Sequence, residues 1–105
     1  YHETGLGMGQ TLNVASEKRA YTLTDRGTYL ALKKRLELEM LSYGDKMLFN
    51  IYHVIVVNPE RFPKVNASGA RAFSDFMVSN EAQSIIKTFG IAKFGAPLFF
   101  PDAVK

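Results

Sequence analysis

The sequence predicts an α/β fold, and three observations carry that expectation. Segments whose apolar residues recur every three or four positions alternate along the chain with short β-branched or apolar-polar alternating runs. Gly, Asp, Asn and Pro stand at the junctions, where the chain must turn. No apolar run approaches the roughly 18 residues of a membrane span, so each hydrophobic stretch is the size of one element and direct membrane insertion is not expected. In α/β folds the strand ends and helix N-termini meet at a crevice where ligands bind.

The first element follows Gly5-Leu6-Gly7-Met8-Gly9-Gln10-Thr11, a glycine-rich turn. Leu12, Val14 and Ala15 then share one face while Glu17, Lys18 and Arg19 solvate the other, so a helix starting at Gly9 or Gln10 is expected. Tyr21-Thr22-Leu23-Thr24 is β-prone and reads as a short strand closed by Asp25-Arg26-Gly27. Asp25 is placed to cap a brief helix through Tyr29, Leu30 and Leu32, with Lys33-Lys34-Arg35 setting cations at its negative end.

Leu36-Glu37-Leu38-Glu39-Met40-Leu41 alternates apolar and acidic residues, as a strand with one wet face does. Turn residues 43–46 follow, and Ile51-Tyr52-His53-Val54-Ile55-Val56-Val57 reads as a strand covered on both faces and ended by Asn58-Pro59. A proline-bearing connector, residues 61–66, leads to an amphipathic helix on Ala70, Phe73, Phe76 and Met77. Ser79 or Asn80 caps the next helix, with Glu81 in its first turn, Ile85, Ile86 and Phe89 on its buried side and Gly90 at its end. The tail, Phe94-Gly95-Ala96-Pro97-Leu98-Phe99-Phe100-Pro101, is too proline-broken for a helix and too apolar to be left in water, so it must pack on something.

Two or three strands make a meagre sheet. The doubly covered strand at residues 51–57 needs neighbours that 105 residues hardly supply, and the chain begins at Tyr1 with neither an initiator Met nor the zones of a signal peptide. It is therefore expected to be part of a larger protein. The composition, 47% hydrophobic and 22% charged, excludes disordered and collagenous classes. The absence of Cys removes disulfide, zinc-thiolate, iron-sulfur and cysteine-nucleophile chemistry. A net charge of +3 with no basic run beyond Lys33-Lys34-Arg35 is too thin for a nucleic-acid footprint.

Candidate chemistry is sparse. Gly5-x-Gly7-x-Gly9 lacks the spacing of a dinucleotide loop, and its Gly9-Gln10-Thr11 end lacks the Gly-Lys-Ser/Thr of a phosphate loop. What remains is that glycines let backbone N–H groups approach an anion, and a helix starting there aims its unpaired donors and positive dipole end at it. A loop that merely turns the chain into a helix is the competing reading. Thr22, Thr24, Asp25, Arg26 and Thr28 form a second polar cluster, rich in hydroxyl donors and holding one guanidinium, that reads equally as a capped turn. His2 and His53 have no partner at helical spacing, and His53 reads as a hydrogen-bonded structural residue. Glu37 and Glu39 read as a solvated strand face, and no Ser lies in a nucleophile-elbow pattern. Nothing requires catalysis, and the donor set suits an oxyanion rather than a metal cation.

Gly7-Met8-Gly9-Gln10-Thr11-Leu12-Asn13, Glu17-Lys18 and Ala20-Tyr21-Thr22-Leu23-Thr24-Asp25-Arg26-Gly27-Thr28-Tyr29-Leu30 closely resemble the signature of the tungstate-binding proteins of bacterial ABC importers. Leu48-Phe49-Asn50, Val57-Asn58-Pro59 and Pro97-Leu98-Phe99-Phe100-Pro101-Asp102-Ala103 extend the resemblance over nearly the whole chain. It implies the two-lobed α/β fold of periplasmic binding proteins, class II type, present here in part. Residues 1–49 would be the end of the second lobe, with an anion-facing helix start, and residues 50–105 the crossover strand and C-terminal helices of the first lobe.

By the same resemblance the protein is a carrier and not an enzyme: the substrate-binding component of an ABC importer. It captures tungstate, or molybdate, by hydrogen bonds and needs no cofactor. Gly7, Met8, Gly9, Thr11, Thr24 and Arg26 would bind the ligand. The implied partners are a membrane ABC permease and the remainder of the two-lobed protein, and the implied location is periplasmic or extracellular, with a lipid anchor as one mode of attachment. The family's early Thr/Ser-rich anion loop and its Ser-Arg-Gly-Asp-Asp-Ser-Gly motif have no counterpart in these residues. Half of the expected site therefore lies outside them. Two other classes share the motifs: an oxyanion-sensing domain of a transcriptional regulator, and an enzyme acting on a phosphorylated substrate.

Overall fold

The computed structural model describes residues 1–103. Its regular elements are α1 (Met8–Lys18), α2 (Arg26–Leu32), α3 (Ala67–Met77), α4 (Asn80–Thr88) and α5 (Ile91–Phe94), with short 3-10 helices at Lys33–Arg35 and Lys46–Leu48. The expected helices all form, and local chemistry explains where they start. Asp25 Oδ2 accepts the Thr28 N–H at 2.8 Å, Asn66 Oδ1 accepts Gly69 N–H at 2.9 Å, and Ser79 Oγ accepts Ala82 N–H at 3.2 Å, so α2, α3 and α4 each begin on a side-chain cap.

α1 ends differently. Arg19 adopts left-handed geometry, φ 51° and ψ 45°, while its N–H and that of Ala20 return to Ser16 O and Ala15 O at 3.2 and 2.9 Å. This is the Schellman closure normally given to glycine.

No strand forms among the described residues. The three expected strands, at 21–24, 36–41 and 51–57, are stretches without a ladder partner, because a strand exists only when a second one supplies its backbone acceptors and donors. Tyr21 and Leu23 are exposed. Residues 36–39 keep the predicted alternation, with Leu36 and Leu38 half-buried and Glu37 and Glu39 exposed, whereas Met40 and Leu41 are both exposed. The packing partner is a pair of helices rather than a strand: Glu37 N–H donates to Ser16 Oγ at 2.8 Å and Tyr29 Oη–H donates to Leu38 O at 3.1 Å. Residues 51–57, expected to be covered on both faces, leave Ile51, Tyr52, Val54, Ile55 and Val57 exposed.

Two helical units result. α1 packs on α2 through Leu12, Ala15 and Tyr29, which are buried, and α3 packs on α4 around buried Ala82. The other residues expected on the α3 and α4 core face are less covered: Phe73, Phe76, Ile85 and Phe89 are exposed and Ile86 is half-buried. The tail does pack, as its apolar content requires. Leu98 N–H donates to Phe89 O at 3.1 Å, and Phe99 lies 5.9 Å from the Tyr52 ring and 6.3 Å from that of Phe89.

The molecule remains open. Its Cα radius of gyration is 17.5 Å, against about 13 Å for a compact chain of this length. Its accessible surface is 9044 Å², where a folded monomer of 11.8 kDa presents about 5,900 Å². Exposed large apolar side chains contribute to it along the chain, among them Tyr21, Leu23, Leu41 and Tyr43, several at residues 47–57, and Phe73, Phe76 and Ile85 on α3 and α4.

Candidate functional site

The first candidate is the mouth of α1. Gly7 precedes the helix in extended geometry, φ −66° and ψ 166°, and no side chain caps it. The first intrahelical bond runs from Thr11 N–H to Gly7 O at 3.0 Å. The N–H groups of Met8, Gly9 and Gln10 come before it and have no acceptor within the helix. No acidic residue stands in this first turn, so the positive end of the helix dipole carries no carboxylate of its own.

The flanks of this mouth are built. Thr4 Oγ1 and Thr11 Oγ1 share a hydrogen bond of 2.9 Å, and Leu6 N–H donates to Thr4 Oγ1 at 3.4 Å, which folds residues 4–6 over the first turn. On the other side a Cβ on Gly9 would stand 3.4 Å from Leu32 Cδ1 and 3.9 Å from Thr28 Cγ2, so the start of α1 leans on α2. Met8, Gly9 and Thr11 are half-buried, and Gly7 is exposed.

The second cluster lies at the other end of that contact. Thr24 Oγ1–H donates to Asp25 O at 3.0 Å, which leaves the hydroxyl oxygen as an acceptor. Arg26 Nε–H donates to Pro97 O at 3.2 Å, and its guanidinium carbon sits 5.3 Å from the centre of the Phe100 ring. The guanidinium therefore belongs first to the tail. Sequence reasoning missed this pairing, although an aromatic pair framed by prolines is the kind of surface an Arg stacks on.

Of the six residues the sequence singles out, Gly7, Met8, Gly9 and Thr11 form one helix mouth, and Thr24 and Arg26 form a separate turn. No hydrogen bond joins the two groups among the described residues. One open groove runs along Arg26, Tyr29, Lys33 and the 36–40 segment, and another lies between α4 and the tail. Arg26 lines the first; residues 7–11 line neither. His53 is exposed and makes no hydrogen bond among the described residues, so the structural role expected of it is not seen. No group of three His, Asp or Glu side chains converges among the described residues to hold a metal ion. No helix of the described residues is long and apolar enough to cross a membrane.

Residues 1–81 match the profile of the PBP superfamily domain. The chain is 49% identical, over its whole length, to the tungstate-binding protein TupA of Peptoclostridium acidaminophilum, of which it covers 37%. It is 45% identical over 99% of its length to a Haloferax volcanii protein named provisionally as an ABC transporter anion-binding protein, covering 31% of it. It is 35% identical over 98% of its length to the tungstate-binding protein TupA of Campylobacter jejuni, covering 39%. The chain thus spans 31–39% of the length of these relatives.

Proposed function

The chain belongs to the PBP superfamily, and from that membership we propose that it is the C-terminal portion of an ABC-importer solute-binding protein that captures tungstate or molybdate. The observation that carries the reading is the mouth of α1, where uncapped N–H groups and the dipole's positive end are presented with no carboxylate in the first turn. The names of the relatives support the choice of oxyanion and of transport.

Tungstate is a tetrahedral dianion at neutral pH and offers no useful proton to distinguish it, so selection against sulfate must rest on the size of its oxygen shell. Amides fixed at a helix end are rigid enough to measure that shell, and an ion that leaves one of them desolvated and unpaired is penalised. In this reading Gly7, Met8, Gly9 and Thr11 supply donors of one lobe from the helix mouth, and Thr24 and Arg26 supply others of the same lobe from the separate turn at the start of α2. The neutral hydroxyls and amides act by hydrogen bonds and no bond is made or broken, which is a carrier's work rather than an enzyme's.

Residues 1–49 would belong to the second lobe and 50–105 to the first, the last two lying outside the described residues. The rest of the two-lobed protein would cover the apolar surface at residues 47–57, give that segment its strand neighbours and complete the donor set on closure. The full protein would then work in the periplasm or outside the cell, with or without a lipid anchor, and hand its cargo to a membrane permease.

The test is a melt of the full-length protein with tungstate, molybdate or sulfate in excess. Binding to the folded state alone adds about 2.7 kcal/mol at a hundredfold excess over Kd, so the first two oxyanions raise Tm and sulfate does not. No shift with any of them removes the carrier reading.

A further inference from the structure

We propose that residues 97–101 act as a strap that fixes the turn at residues 24–26, with Arg26 as the positioning residue that holds it. The strap is anchored at both ends. On the side of the C-terminal helices, Leu98 N–H donates to Phe89 O at 3.1 Å. Gln83 Oε1 accepts Ala103 N–H at 3.2 Å, while Gln83 Nε2–H donates to Met77 O at 2.8 Å, so one side chain ties the tail to the end of α3. On the side of α2, Arg26 donates to Pro97 O at 3.2 Å and its guanidinium carbon lies over the Phe100 ring, 5.3 Å from its centre, and buried Gly27 brings the backbone within reach of Leu98 and Phe99.

This is the contact through which two distant parts of the sequence, 71 residues apart, hold one another. The prolines at 97 and 101 fix φ and lower the entropy lost when the strap docks. An Arg suits the position because its cation lies over the ring while Nε–H donates to Pro97 O, which a Lys cannot do at once. The strap itself rests on the contacts alone. Its effect on ligand binding rests on the carrier reading, in which Thr24 and Arg26 stand beside the anion: a turn held in one geometry binds more tightly than one that must first be ordered.

The experiment uses the full-length protein with Arg26→Lys, Phe100→Ala, the double variant and Phe100→Tyr, read by the unfolding midpoint without ligand and by tungstate calorimetry. Phe100 is 65% exposed, so its truncation leaves the core intact. The two single substitutions are expected to lower the midpoint non-additively, the double variant being no worse than the weaker single. Phe100→Ala weakens tungstate binding about fivefold without removing a donor, and Phe100→Tyr restores it. Additive midpoint shifts, or unchanged affinity in Phe100→Ala, overturn the proposal. If the unsubstituted protein binds no tungstate, the carrier reading fails and the midpoints alone decide the strap.

Discussion

Leu98 occupies the space that a side chain on residue 90 would need: a Cβ built on Gly90 would stand 2.7 Å from Leu98 Cγ. Gly90 also turns the chain from α4 into α5 at φ +90°, a conformation that L side chains rarely adopt. Two independent costs therefore meet at one position. Gly90→Ala is expected to destabilise the fold by about 2–5 kcal/mol, the sum of backbone strain and overpacking. Denaturant unfolding measures it, and Leu98→Ala in the same background should recover the packing part while the backbone part remains.

The caps of α2 and α4 allow a graded comparison. Asp25 accepts the Thr28 N–H at 2.8 Å and Ser79 accepts the Ala82 N–H at 3.2 Å. Replacing either by Ala should cost about 1 kcal/mol. Asp25→Ala is expected to cost more than Ser79→Ala, because its carboxylate also meets the positive end of α2 and its bond is shorter. Asp25→Asn, which keeps the acceptor and drops the charge, should fall between wild type and Ala. Urea midpoints of the three variants give the order.

These caps also explain what could be read from the sequence. A helix closes its hydrogen bonds within four residues and its caps within three, so Asp25, Ser79, the face of Leu12 and Ala15, and Gly90 all carried their structural meaning locally. A strand's partner lies elsewhere in the chain. Residues 51–57 have strand composition, yet nothing in the described residues pairs with them, and Leu38 O finds the Tyr29 hydroxyl instead of a ladder. The candidate site divides in the same way. The mouth of α1 is a property of seven consecutive residues, whereas the engagement of Arg26 with Pro97 and Phe100 depends on a fold that brings the tail back, which no local pattern announces.

Arg19 is the element of local structure that composition concealed. It holds φ 51° at the end of α1, where glycine would be unstrained. Arg19→Gly relieves about 1–2 kcal/mol of left-handed strain and loses roughly 0.5–1 kcal/mol to the freer unfolded chain. A net gain of about 0.5–1 kcal/mol is expected, seen as a higher denaturation midpoint. A loss of stability would mean that the Arg19 side chain contributes a contact larger than the strain.

The first amide donor at the mouth of α1 can be removed without disturbing the helix. Met8 is its first residue, its N–H has no intrahelical acceptor, and Gly7 before it is already extended, with ψ 166° as a residue preceding proline prefers. Met8→Pro therefore deletes one N–H while keeping a backbone angle suited to a first helical position. Met8→Ala deletes the same thioether and keeps the N–H, so comparing the two isolates the amide. If that amide binds the oxyanion, Met8→Pro in the full-length protein weakens tungstate binding about tenfold or more relative to Met8→Ala. This is the loss expected for one hydrogen bond to a charged group, about 1.5–3 kcal/mol. The ligand-free melting temperatures of the two variants should stay within a few degrees of each other. Equal affinity in the two would mean that the Met8 amide meets no anion, and the donors would then have to be sought at Gly9 and Gln10 or outside the mouth of α1.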